Sequence, residues 1–70
     1  MNKLERLKEV EGLTDIEIAQ NAALGGESMG ICMNEGCNYT REVEPDQDHG
    51  YCEECKTTSV QSGAMLLGII

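Results

Sequence analysis

The chain has no tryptophan and no phenylalanine; its 3% aromatic content is two tyrosines, Tyr39 and Tyr51. A 70-residue chain buries too little surface to be comfortably stable by itself, and one without large rings has a thin core. A cross-link of some kind is expected. Cations are scarce too. Five Lys and Arg face thirteen Asp and Glu, for a net charge of -8, and only Arg41 and Lys56 lie beyond residue 8. Modules that grip nucleic acid do so with a basic surface, so direct phosphate contact is disfavoured. The acidity fits either plain solubility or a face for a basic partner. The single histidine, His49, sits in a turn-rich segment, Pro45–Gly50, and reads as an exposed loop residue. One histidine so placed offers no credible Ser-His-Asp set, which argues against a hydrolase. The longest apolar run, residues 64–70, is far short of the roughly 20 residues that span a bilayer. Residues 1–12 alternate charge with leucine and lack the apolar core of a secretory signal. These features together suggest a cytoplasmic protein with no membrane association.

What the chain does have is four cysteines, Cys32, Cys37, Cys52 and Cys55. They fall as C-x4-C, a fourteen-residue gap, and C-x2-C. Each close pair offers two thiolates from one tight turn, and the intervening loop brings the pairs together. This is the donor set of a four-coordinate structural zinc site, so the sequence predicts one Zn(2+) bound by all four. Two disulfides are the rival reading, suited to a secreted mini-protein. A rubredoxin-like iron site is another, but such sites are wrapped in aromatics that this chain lacks. Four thiolates would also close the metal's coordination shell, whereas a catalytic zinc keeps one position open.

The predicted fold class is a small α+β metal-stabilised domain. It comprises an N-terminal helical segment (1–24), a Gly-rich linker (25–30) and a zinc ribbon of short antiparallel strands with an apolar tail (31–70). Leu4, Leu7 and Val10 recur every three residues, which predicts a weakly amphipathic helix ended by Gly12. Thr14 and Glu17 have the spacing of a capping box and open a second helix that runs to about Leu24. Ile16, Ala19 and Ala23 are expected to share its packing face. A DNA-reading helix-turn-helix would need a further helix where Gly25–Gly30 breaks the chain. Residues 38–43 alternate and are rich in strand formers, as are residues 57–62. The residue after each cysteine pair, Asn38 and Lys56, is expected in the left-handed region usually taken by glycine. Both tyrosines are expected to cover the metal site.

Residues 31–70 resemble a group of small bacterial and bacteriophage zinc-ribbon proteins of unknown function. The resemblance rests on Cys32, Gly36-Cys37, Tyr39-Thr40, Glu42 to Gln47, Cys52-Glu53-Glu54-Cys55 and the apolar tail. It implies that Cys32, Cys37, Cys52 and Cys55 are metal ligands, and it implies no catalytic activity. Lys56 departs from the glycine common there. The functional expectation is a non-enzymatic zinc module working through protein contacts, as a monomer or as a weak homodimer through the tail. A transcription-associated or nucleic-acid-binding ribbon and a redox iron protein are the alternatives.

Overall fold

The computed structural model describes residues 2–69. Its elements are α1 (Lys3–Glu11), α2 (Asp15–Gln20), a π-helical turn (Asn21–Gly25), β1 (Ser28–Cys32), β2 (Thr40–Val43), β3 (Gly50–Cys52), β4 (Thr57–Ser62) and α3 (Gly63–Leu67). Local chemistry sets the helix ends. The Asn2 side chain accepts from the Glu5 N–H at 2.8 Å, and Gly12 closes α1 in the left-handed conformation, φ 67°. Thr14 and Glu17 make the reciprocal bonds of a capping box, 3.2 and 3.1 Å, which satisfy two donors otherwise left open at a helix start. Lys8 pairs with Asp15 across the turn between α1 and α2, 2.9 Å.

The four strands form one antiparallel sheet in the order β2-β1-β4-β3. The sheet is curled, and two glycines make the curl possible. A Cβ on Gly30 would lie 2.8 Å from the Gln61 carbonyl oxygen and 2.9 Å from methyls of both Val43 and Val60. A Cβ on Gly50 would lie 3.0 Å from the other Val43 methyl. Val43 on one edge strand thus reaches over both central strands to the side of Gly50 on the opposite edge strand. The Arg41 guanidinium reinforces this closure by donating to the Tyr51 carbonyl at 3.1 Å.

This geometry corrects the linker expected at residues 25–30. Ser28, Met29 and Gly30 are the first half of β1, paired on one side with Val43, Glu42 and Arg41, and Gly30 also with Ser62. Gly30, taken from sequence as a mark of flexibility, is fully enclosed by packing. β2 begins at Thr40, two residues later than the alternation suggested.

The sheet separates two small cores. Inside the curl, buried Cys32, Cys52 and Val60 pack with Cys37, Tyr39, Val43 and Cys55. Tyr51 does not join them. It stands between buried Gly50 and Cys52 on a strand, so it points to the opposite face, and it is 45% exposed. Of the two tyrosines expected over the cysteines, only Tyr39 takes that place. On the outer face Ile31 is fully buried where α1 and α3 pack on β1. Leu7 and Ile18 close on Gly63, where a Cβ would meet them at 2.9 and 3.3 Å.

The helix α2 therefore packs through Ile18. Ile16 is 68% exposed and Ala23 is exposed as well, which corrects the face predicted for this helix. Ile16 and Ile18 lie on opposite sides of an α-helix, and the seat beside Gly63 takes Ile18; Ala23 lies in the π-turn after Gln20, whose wider turn puts it out of phase with α2. The apolar tail is helical rather than extended. The Ser62 side chain caps α3 by accepting from the Met65 N–H at 3.1 Å, and Gly68 ends it at φ 86°. Ala64 is buried and Met65 to Leu67 are half-buried; Ile70, the last residue of the predicted tail, lies outside the described residues.

Candidate metal centre

The curl brings together the four cysteines. Cys32 ends β1, Cys52 ends β3, and Cys37 and Cys55 lie in the turns that follow. The first turn is held by the Cys37 N–H on the Asn34 carbonyl, 3.1 Å, and the Cys32 N–H on the Tyr39 carbonyl, 2.8 Å. Gly36, at φ 81°, supplies its left-handed residue, so the position is one before Cys37 and not at Asn38 as the sequence suggested. Two extra residues in the C-x4-C loop move the reversal inside the pair. The second turn follows expectation: Lys56 takes the left-handed conformation, φ 59°, and its N–H bonds the Cys52 carbonyl at 2.7 Å.

All four sulfurs lie within 4.8 Å of one another. Cys37 and Cys52 are 3.7 Å apart and Cys32 and Cys55 are 3.9 Å apart. Both separations far exceed the roughly 2.05 Å of a disulfide bond, and all four cysteines are free. Sulfurs at 2.3 Å from a metal at tetrahedral angles would be ~3.8 Å apart, and the two measured pairs bracket that value. Cys32 and Cys52 are buried, whereas Cys37 and Cys55 are half-buried. The four cysteines are thus positioned to hold a metal ion.

Without a metal the thiols do not ionise alike. Burial pushes the Cys32 thiol up, but the Ser59 hydroxyl, the Asn34 N–H and neighbouring thiols outweigh it, and its pKa falls from 9.0 to about 7. For Cys37 a bond from the Tyr39 N–H pulls down, yet burial and three adjacent thiols together push it up to about 12. Cys52 is raised, chiefly by burial, against bonds from the Cys55 and Glu54 N–H groups. One thiolate forms readily, and its charge then opposes the next. Only a positive ion lets all four ionise in so small a space.

Three side chains around the sulfurs were not singled out from sequence. The Lys3 ammonium, on α1, donates to the carbonyls of Asn34 and Cys37 at 2.8 and 2.6 Å. The Asn34 amide reaches Thr57 and Ser59 on β4 at 3.2 and 3.3 Å. The Ser59 hydroxyl lies 3.1 Å from the Cys32 sulfur. Lys3 and Asn34 are 31 residues apart, so no local pattern announces the contact; Ser59 alternates with Val60 on a readable strand, but its partner is set by the β1–β4 register. His49 stands away from the sulfurs in an exposed position, paired with Asp48.

No protein-family model, curated protein or solved structure matches the chain. Among the described residues no helix is long and apolar enough to cross a membrane.

Proposed function

We propose that the chain is a non-enzymatic zinc ribbon that binds one Zn(2+) through Cys32, Cys37, Cys52 and Cys55. It acts in the cytoplasm through contacts with a protein partner of basic character. The carrying observation is the cluster of four sulfurs within 4.8 Å, two pairs of which are spaced for a tetrahedral ion. Zinc is the natural occupant of a closed tetrahedral thiolate set. An iron site of the rubredoxin type would want an aromatic wrapping; here a single tyrosine packs with the cysteines, and two of the four are half-buried. A shell filled by four thiolates leaves no position for substrate or water, so the ion supports the fold. The basic partner follows from the net charge of -8, which four thiolates on a dication make more negative still.

Metal analysis tests this reading. Protein purified without added metal should be colourless and carry one zinc per chain. A red or brown protein with stoichiometric iron, or a metal-free chain with two disulfides by mass, would overturn it.

A further inference from the structure

Ser59 is the only side chain outside the four cysteines whose polar atom lies within hydrogen-bond distance of a sulfur among the described residues. A metal-bound Cys32 is a thiolate with no hydrogen of its own, so in the loaded site that bond runs from the Ser59 hydroxyl to the sulfur. The Asn34 amide nitrogen lies 3.2 Å from Thr57 Oγ1 and 3.3 Å from Ser59 Oγ, two hydroxyls 2.8 Å apart that share its donation. With Thr57 Oγ1 accepting from Asn34, its own hydrogen is free for Ser59 Oγ at 2.8 Å. Ser59 Oγ then accepts twice and has a single hydrogen to give, and the remaining neighbour is the Cys32 sulfur at 3.1 Å. The backbone of Ser59 is fixed as well, because its carbonyl accepts from the Met33 N–H at 2.7 Å. Cys32 is completely buried, so water does not compete for its sulfur.

We infer that Ser59, oriented by Asn34 and Thr57, is a positioning residue for the metal centre. It draws charge from the Cys32 thiolate and holds that sulfur in its ligating direction. A set of four thiolates around a dication keeps two net negative charges, and a fixed donor on one of the two fully buried cysteines offsets part of them. The residue thereby raises metal affinity and tunes the electron density that Cys32 presents to the ion. The inference rests on the metal-site reading above, and cobalt uptake separates the two.

The experiment uses the full chain. Cobalt(II) is titrated in and followed by its sulfur-to-metal charge-transfer bands, and zinc affinity is measured by competition with a chromophoric chelator. Wild-type protein should give the tetrahedral thiolate spectrum; failure to do so ends this inference together with the zinc reading. Ser59→Ala should bind zinc about tenfold more weakly and shift the charge-transfer bands to lower energy, because its sulfur is more electron-rich. Ser59→Thr, which keeps the hydroxyl, should restore both. Asn34→Ala, in an exposed turn, should produce a smaller loss of the same kind, and it decides the matter if Ser59→Ala does not fold. Wild-type affinity and bands in Ser59→Ala, or in Asn34→Ala should the first variant not fold, overturn the inference while leaving the zinc site intact. So does a Ser59→Thr protein that folds without rescuing either readout.

Discussion

Lys56 is the one non-glycine residue with positive φ among those described, at 59°. Its Cβ crowds the following carbonyl there, at a cost of roughly 1–2 kcal/mol for an L-residue, partly offset by the entropy that glycine loses on folding. Lys56→Gly should therefore stabilise the zinc-loaded protein by about 0.5–1 kcal/mol, seen as a higher melting temperature. An unchanged or lower one would mean that the lysine side chain has a favourable role that outweighs the strain. Gly30 presents the opposite case. Its φ is unremarkable, but the site has no room, with the Gln61 carbonyl oxygen 2.8 Å from any added Cβ. Gly30→Ala should cost about 1–3 kcal/mol by forcing β1 and β4 apart, and chemical denaturation of the two proteins would measure it. The contrast explains what could be read. The strain at Lys56 is a property of a local turn between cysteines, and the spacing announces it. The need for glycine at Gly30 comes from Val43, Val60 and Gln61, each remote in sequence, so the same residue looked like a linker.

At the scale of elements, the Gly12 end of α1, the Thr14–Glu17 start of α2 and the strand at 57–62 were legible, since each depends on residues within a few positions. The strand β1 and the register of the sheet were not, because pairing partners are set by the curl and not by the segment itself. The apolar tail shows the limit of composition. Its burial was foreseeable, but its helical form depends on the Ser62 cap and on a seat beside Gly63, where Leu7 and Ile18 meet. With Ala64 buried and Met65 to Leu67 half-buried, removing residues 65–70 should cost about 2–4 kcal/mol, half of what full burial of three such side chains contributes. The four sulfurs lie on the other face of the sheet from this core, so the truncated chain should still take up one zinc. Thermal melting, sedimentation and metal content together check this. A melting temperature that does not move would show that the tail contributes nothing to the fold. A full-length dimer that becomes monomeric on truncation would place the tail in an interface instead.

The whole molecule combines a strongly acidic surface with a small interior that a metal would complete, and each feature makes its own prediction. With a net charge of -8, and with Lys3, Arg6, Lys8 and Arg41 all engaged on carbonyls or carboxylates of the chain itself, little is left to displace phosphate counterions. Mixed DNA and RNA should bind more weakly than about 10⁻⁴ M at physiological salt; micromolar binding that falls with salt in a polarisation assay would favour a nucleic-acid role. The interior predicts different responses to alkaline pH with and without metal. In the metal-free chain, Cys32 has its pKa lowered from 9.0 to about 7, so its contribution is complete above 9.0 and is lost as pH falls through 7. Cys37, pushed up to about 12, and Cys52, also raised, contribute below 9.0 and lose that contribution as pH climbs above it. The metal-free fold therefore strengthens as pH rises from 7 to 9.0 and weakens above 9.0. Zinc removes the alkaline loss, because it requires all four thiolates and protons compete with it for each. The zinc-loaded chain should hold its melting temperature from pH 9 down to near neutrality and lose it, together with the metal, on further acidification. The chelated chain should keep only residual sheet signal in circular dichroism, and that signal should decline above pH 9. If the zinc-loaded form weakens above pH 9 as the chelated form does, the thiols are not what couples the metal to the fold.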